Sequence, residues 1–520
     1  MIFRKLRIIM NKYKSFIVLV SLVFLPFWTG NAQEKIINPK NEFRAVWIAT
    51  VANIDWPKSN VDPVEKQKTD YLEILDTYKK MNYNAVIVQI RSSGEAFYPT
   101  EFAPWSRYLT GKEGKAPSPY YDPLEWMITE AHARGFEFHA WLNPYRATMD
   151  TKIENLSPNH DFNQHRNWMI KYGESGKEKY YYDPGLPEVQ SHLTKVVEEV
   201  VQKYDIDAIH FDDYFYPYKV PGQTFNDRVS FLKYGRGLKL EDWRRANVDS
   251  LVKKVSLTIK DCKPWVQFGI SPFGVWRNKS VDPRGSDTES GQTNYDDLYA
   301  DPMNWMEHKW IDYLVPQLYW SMGHPKASYS KLLKWWSENS KNTAIYIGNG
   351  TYKINNDSDK RWDNPLEIPN QIDLTRSYKN IQGNAFFSAK WFVNKNQKVT
   401  QILMNDHYRF PALPHPVPLL KQIVIDSPSL NTFGKDIANS TFTFKYPLNS
   451  KIRYIMVYRA KRAAKIDTND PSQIIDKITL NANKDFVLVQ IPSNKENDHS
   501  SFAFTYVDFY GNESTPTIVN

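Results

Sequence analysis

The sequence predicts an α/β fold: a (β/α)8 barrel of the TIM type followed by a small all-β sandwich. Three observations predict it. Between about residues 40 and 415, eight short apolar runs alternate with amphipathic helical stretches. The segment Pro411-Ala-Leu-Pro-His-Pro-Val-Pro418 then packs prolines densely enough to make a stiff linker and a boundary. Beyond it helical periodicity nearly vanishes, and strand-like runs separated by turn residues take over. At 520 residues the chain exceeds what one core usually supports, so two domains are expected. The predicted boundaries are 1–32 for an export signal, 41–415 for the barrel and 420–520 for the sandwich.

In chain order, the first element is the export signal. Arg4, Lys5, Arg7, Lys12 and Lys14 precede an apolar run from Phe16 to Phe27, broken only by Ser21 and Pro26. Gly30-Asn31-Ala32 then offers the small residues that signal peptidase reads. The run is shorter than the roughly 20 apolar residues of a membrane span, and no other run in the chain is long enough. The expectation is a secreted or periplasmic protein with no membrane span once the signal is removed; an uncleaved anchor is the alternative.

The predicted barrel strands are 43–51, 85–91, 136–143, 208–212, 266–272, 313–319, 344–348 and 384–389. The predicted helices are 64–81, 123–134, 187–204, 241–260, 329–339 and 396–405. A doubly wound open sheet is the competing arrangement, but no glycine-rich fingerprint follows the first strand. The connections 92–121, 146–182 and 275–304 are longer than a turn requires. All three follow strand ends, so in a barrel they would wall one face. In the sandwich, strands are predicted at 441–446, 454–459, 486–491 and 502–507.

Composition narrows the function classes. The formal charge is +8, but the first 32 residues hold five basic side chains and no acid, so removing them leaves +3. With no concentrated basic stripe, nucleic acid is not an expected partner. Cys262 is the only cysteine and is expected to be packed. Aromatic residues make up 15% of the chain, with 17 Trp and 32 Tyr. Most of these belong in the core; the rest are flat amphipathic surfaces of the kind a carbohydrate cleft uses.

The chemistry is predicted at strand ends, because the C-terminal end of barrel strands is where such folds place it. The stretch Ala208-Ile-His-Phe-Asp-Asp-Tyr-Phe-Tyr-Pro217 begins as an apolar strand and ends in two carboxylates among aromatics. Strand alternation places His210 and Asp212 inside the barrel and starts the rim loop at Asp213. The same sorting turns Gln89 and Arg91 inward on the second strand, His139, Trp141 and Asn143 on the third, and Gln317 and Tyr319 on the sixth. For any one of these, a hydrogen-bonded core residue is as good a reading as a ligand contact; their convergence is the argument. Carboxylates among aromatic rings suit sugars, and glycoside hydrolysis needs two carboxyl groups flanking the scissile bond. Asp212 is expected to be nucleophile or electrostatic stabiliser, kept ionised by Arg91 and His210. Asp213 shares that role or binds hydroxyls. The second carboxyl must come from another loop, with Glu95, Asp55 and Asp287 as candidates. No His-Glu-x-x-His helix, Cys/His cluster or Gly-x-Ser-x-Gly elbow occurs. His210 with Asp212 and Asp213 lacks a second nearby histidine for a metal. Neither a metal nor a cofactor is expected.

These residues also carry a family likeness. Phe43-Arg-Ala-Val-Trp-Ile-Ala-Thr50, Asn143-Pro-Tyr-Arg146, His210-Phe-Asp-Asp-Tyr-Phe-Tyr-Pro217, Gly269-Ile-Ser-Pro-Phe-Gly-Val-Trp-Arg-Asn278, Tyr295-Asp-Asp-Leu-Tyr-Ala-Asp301 and Pro316-Gln-Leu-Tyr-Trp320 resemble the glycosyl hydrolase-like 10 family over about residues 41–410. The resemblance implies a barrel glycosidase. It implies that Trp47, Arg91, Asn143, Tyr145 and Arg146 line a cleft and that Asp212 and Asp213 supply acid chemistry. It further implies that Trp276, Arg277, Asn278, Tyr319 and Trp320 complete the sugar sites; His210, Tyr214 and Gln317 are expected to bind substrate as well. Some relatives look like envelope enzymes that cut peptidoglycan strands lacking stem peptides. Tyr506-Val-Asp-Phe-Tyr-Gly-Asn-Glu-Ser514 is similar to the last strands of fibronectin type III-like modules. The expected function is an exported glycoside hydrolase acting on a polysaccharide or oligosaccharide, with a bacterial cell-wall glycan favoured. The alternative is a non-catalytic carbohydrate-binding envelope protein on a barrel scaffold.

Overall fold

The computed structural model describes residues 38–519 apart from 394, 421–423, 436–438, 449, 462–463, 482–483 and 493–499. The expected export signal at 1–32 lies outside the described residues. Eight parallel strands close into a barrel. They are β1 (Phe43–Ile48), β2 (Ala85–Arg91), β3 (Glu137–Leu142), β4 (Ala208–Phe211), β5 (Gln267–Ile270), β6 (Tyr313–Leu314), β7 (Ala344–Gly350) and β8 (Ile381–Phe387). Each strand pairs with the next in chain order, and β8 closes on β1.

Alternation explains why these segments are strands. Val46, Ile48, Val86, Val88, Ile209, Phe211, Phe268 and Ile270 face the helices in one continuous core. Phe43, Ala45, Trp47, Ala85, Ile87, Trp141, Ala208, Tyr313 and Tyr346 fill the barrel interior. Each large apolar side chain so buried contributes about 1.5–3 kcal/mol. Gly269 makes room inside: a Cβ there would lie 1.9 Å from Cζ of Tyr313, whose ring crosses the interior. β6 is shorter than the sequence suggests. Pro316 has no N–H for the ladder, and the line continues only as single bridges from Gln317 to Phe273 and Gly348.

The helices packed outside are α1 (Val64–Lys80), α2 (Pro123–Ala133), α3 (Pro187–Lys203), α4 (Leu240–Cys262), α5 (Pro302–Glu307), α6 (Tyr329–Glu338), α7 (Glu367–Arg376) and α8 (Gln397–Ile402). In α1 the buried Val64, Gln67, Tyr71, Ile74, Leu75 and Tyr78 recur at helical spacing on one face. Asp122 caps α2 by accepting from the Leu124 and Glu125 amides, with Pro123 at the first position. The sequence reading does not anticipate α5 and α7. Each carries a proline in its first turn, Pro302 and Pro369, where no intrahelical N–H is required. Cys262 ends α4, half-buried. The long connection after β3 holds a two-stranded hairpin, Met169–Tyr172 with Lys179–Tyr182.

Downstream lie two antiparallel sheets consistent with a β-sandwich. One joins β9 (Ser429–Lys435), β10 (Asn439–Lys445) and β13 (Phe486–Pro492). The other runs β12 (Ile474–Thr479), β11 (Ile452–Lys461), β14 (Ser500–Asp508), β15 (Thr517–Val519). Phe442, Phe444, Ile455, Val457, Val489, Phe502 and Phe504 form the core between them. The sequence reading includes β10, β11, β13 and β14. It does not include β9, β12 and β15, which lack a strong apolar alternation; β9 is almost wholly exposed.

The proline-rich segment is stitched to the barrel. Leu413 exchanges backbone hydrogen bonds of 2.8 Å with Lys40 and Glu42, and the Ala412 carbonyl accepts from Asn84. At the N-terminal end of the barrel strands, Arg453 of β11 bonds Asp205 (2.7 Å), Asp207 (3.1 Å) and the His132 ring (2.7 Å). Among the described residues no helix is long and apolar enough to cross a membrane.

Candidate active site

At the C-terminal end of the strands a cavity of about 210 Å³ opens between the long connections. Trp47, Gln89, Trp141, Asn143, Arg146, Asp212, Asp213, Tyr214, Gln317 and Tyr319 all line it, joined by Ser271, Tyr352 and Phe387. Its floor is a chain of buried rings. His139 Nδ1 and His210 Nδ1 both meet the Tyr313 hydroxyl, at 2.7 and 3.1 Å. His210 Nε2 meets the Ser271 hydroxyl at 3.0 Å, and the Trp47 indole N–H points to the same nitrogen at 3.4 Å.

Asp212 and Asp213 both reach the cavity because β4 ends at Phe211 and the chain turns at once. The Tyr214 amide donates to Asp212 Oδ1 at 3.2 Å, and the Phe215 amide to the Asp213 carbonyl at 3.0 Å. Burial pushes the Asp212 carboxyl far above the ordinary carboxylate range, and the neighbouring Asp213 charge pushes it further. Arg146 opposes that rise. Burial also raises Asp213, against hydrogen bonds from the Tyr218 hydroxyl and Gln317. At neutral pH the pair therefore favours holding a proton, with Asp212 its preferred site.

Four buried polar atoms on cavity-lining residues lack a protein partner: Asp212 Oδ2, the Trp141 indole nitrogen, Asn143 Nδ2 and Arg146 Nε. Buried polar groups are otherwise almost always bonded. The Trp141 indole N–H is also turned toward the Asp212 carboxyl; together these acceptor and donor atoms match a ligand rich in hydroxyl groups.

The sequence-derived residues separate into two sets. Trp47, Asn143, Arg146, Asp212, Asp213, Tyr214, Gln317 and Tyr319 come together, with His210 in the floor. The others sit elsewhere. Arg91 is turned out of the interior by an irregularity in register: Gln89 pairs with Trp141, but Arg91 pairs with the outward Leu142. Its guanidinium meets the Tyr182 hydroxyl at 3.3 Å and Asp161 at 3.9 Å. His210 does not supply charge to Asp212, because burial holds its ring well below the usual histidine range. Tyr145 is buried in the core outside the barrel.

Glu95 is buried against Arg107, accepting from its amide at 3.0 Å. Asp55 is saturated by the Ala49 amide (2.8 Å), the Ser388 hydroxyl (2.8 Å) and the Lys390 amide (2.9 Å), and burial pushes it up to about 6. Asp287 is exposed and paired with Lys331. None of these three lines the cavity. Trp276 donates to Asp301 at 3.0 Å, Arg277 forks onto Asp296, and Asn278 ties Thr288 and Ser290, so this trio braces the connection after β5. Trp320 packs edge-on against Phe273.

Gln89 and Trp141 line the cavity as alternation implies, although the family likeness does not nominate them. Ser271 lies two residues beyond Gly269, so the same alternation reaches it. Tyr352 and Phe387 arrive through the ends of β7 and β8, where no pattern marks them. Among the described residues no group of three or more His, Cys, Asp or Glu side chains is arranged to hold a metal ion.

Comparison with known proteins agrees with this geometry. The family described as glycosyl hydrolase-like 10 matches residues 42–364. Glycosyl hydrolase YngK of Bacillus subtilis is 46% identical over 86% of this chain and 87% of its own length. Glycosyl hydrolase DigH of Escherichia coli is 40% identical over 68% of this chain and 84% of its own. Among solved structures, the PgaB (BpsB) glycoside hydrolase domain of Bordetella bronchiseptica covers 71% of this chain and 99% of its own, with a TM-score of 0.43 and 12% identity, a likeness too slight to bear on function. A 323-residue family match on a cleft built from the same motifs leaves one conclusion: the chain belongs to the glycosyl hydrolase-like 10 family.

Proposed function

We propose a glycosidase activity, which family membership and the buried acids of the barrel support in general terms. We propose that the chain is an exported glycoside hydrolase that cleaves glycosidic bonds of a polysaccharide, with peptidoglycan glycan strands as the favoured substrate. In this reading residues 1–32 direct export, 41–415 form the catalytic barrel and 420–520 a fibronectin type III-like module. The module's three-strand and four-strand sheets support that last assignment. The observation that carries the proposal is the adjacent carboxyl pair in a cleft with unpartnered polar atoms and aromatic walls.

Asp212 serves as general acid, because its surroundings keep its proton at neutral pH. This reverses the role expected from the sequence, where Arg91 and His210 were to keep it charged. Asp213, held by Tyr218 and Gln317, is the anionic partner that stabilises positive charge developing on the sugar ring. Trp47, Trp141, Tyr214 and Tyr319 offer ring faces to the apolar faces of pyranoses. The test is reducing-end release from purified glycan strands. Asp212→Asn and Asp213→Asn are each expected to lower kcat about 10²–10⁴-fold in folded protein; full activity in both rejects the assignment.

One observation favours a second reading. Among the described residues no carboxylate from another connection lines the cleft. A non-catalytic carbohydrate-binding protein predicts oligosaccharide binding with no turnover over days.

A further inference from the structure

Among the described residues Arg146 is the one cationic side chain lining the cleft, and it is 6% exposed. No carboxylate of the described residues lies within 4.0 Å of its guanidinium. One terminal nitrogen reaches the Met149 sulfur at 3.8 Å, the Tyr214 hydroxyl also bonds the guanidinium, and Nε has no partner. The guanidinium lies over the Tyr214 ring, 4.0 Å from its centroid, which fixes its plane. A buried charge without a counter-ion is costly. The other buried arginines of the barrel avoid that cost: Arg244 forks onto Asp227 and Arg44 pairs with Glu42. Asp212 is the nearest acid in the cleft to offset Arg146, yet the two form no direct pair, and Asp212 retains its proton too readily to serve as a permanent counter-ion. Asn143 Nδ2, on the same cavity lining, is a further donor without a partner.

We infer that Arg146 is a specificity-determining residue that receives a carboxylate borne by the substrate sugar. A planar guanidinium whose Nε has no protein partner can meet a carboxylate through parallel N–H bonds. The inference rests on the cleft being the sugar site. Two sources carry that chemistry: a lactyl ether on the sugar, whose acid is free when no peptide is attached, and a ring uronic acid. Converting the acid to an amide removes the charge in both.

The experiment compares peptide-free glycan strands with their methylamidated form, and a glucuronan with its methylamidated form. The readouts are kcat/KM and, independently of turnover, binding followed by tryptophan fluorescence. The wild type is expected to prefer the free acid in at least one pair by about tenfold or more. Arg146→Gln should bring that ratio to about one, and Arg146→Lys should leave an intermediate ratio; thermal melts verify that each variant is folded. Preference in the lactyl pair alone or the uronate pair alone identifies the source. A wild-type ratio near one in both pairs, or a ratio that Arg146→Gln does not change, overturns the inference. Binding preference without cleavage would retain Arg146's role while removing the hydrolase reading.

Discussion

Asp212 couples chemistry to stability. Its native carboxyl binds its proton more tightly than in the unfolded chain, where the reference value is near 3.9. Between that value and the raised native one, the native state holds more protons than the unfolded state, so stability falls as pH rises. At neutral pH the group is therefore a destabilising feature, as the proposed general-acid role requires. Asp212→Asn removes the titration and should raise the melting temperature at pH 7 relative to wild type, while the two proteins converge near pH 4. A pH series of thermal melts checks this; a variant less stable than wild type at pH 7 would contradict it. The residue scale is also where the sequence was least legible. Glu95, Asp55 and Asp287 are all acids in loops near strand ends, and only their partners separate them from Asp213. Asp55 is engaged by the Ala49 and Lys390 amides, and one oxygen of Glu95 by the Arg107 amide, away from the cleft. The Asp55 bonds to Ser388 and Lys390 join segments more than 330 positions apart, which no local pattern records.

At the scale of elements, period-two alternation was a strong guide because the barrel buries both faces of each strand. It located Gln89, Trp141, Asn143, His210 and Asp212 on the interior side. It failed at Arg91, where a register irregularity turns one strand end by a residue. It also overran at β6, where Pro316 ends the ladder. Glycine carries a message there that alternation alone does not give. Gly269 on β5 leaves the space that the Tyr313 ring occupies, and Tyr313 holds both floor histidines. Gly269→Ala forces that ring aside and is expected to cost about 1–3 kcal/mol of stability, together with a loss of activity as the floor shifts. Urea unfolding with an activity assay checks both; an unchanged midpoint and unchanged turnover would contradict the role given to Tyr313.

On the scale of the whole molecule, the two ends of the barrel do different work. The N-terminal end carries the β-sandwich, clamped by Arg453 on Asp205, Asp207 and His132. Burial would raise Asp207, but Arg453 and His132 hold it below the ordinary range, so this contact is strongest above acid pH. The proline-rich segment is fixed along the residues that lead into β1. The C-terminal end is left open, walled by the long connections and floored by rings and histidines. The separation was visible in the sequence as eight alternating units followed by an all-β tail, whereas the docking through Arg453 was not, since it joins residues more than 240 positions apart. The most direct measurement is a crystal structure of Asp212→Asn with a bound oligosaccharide. The account predicts a glycosidic oxygen about 2.6–3.2 Å from the residue 212 side chain, with sugar rings against Trp47, Trp141 and Tyr319. A glycan seated away from Asp212 and Asp213, or at the sandwich end of the barrel, would contradict it.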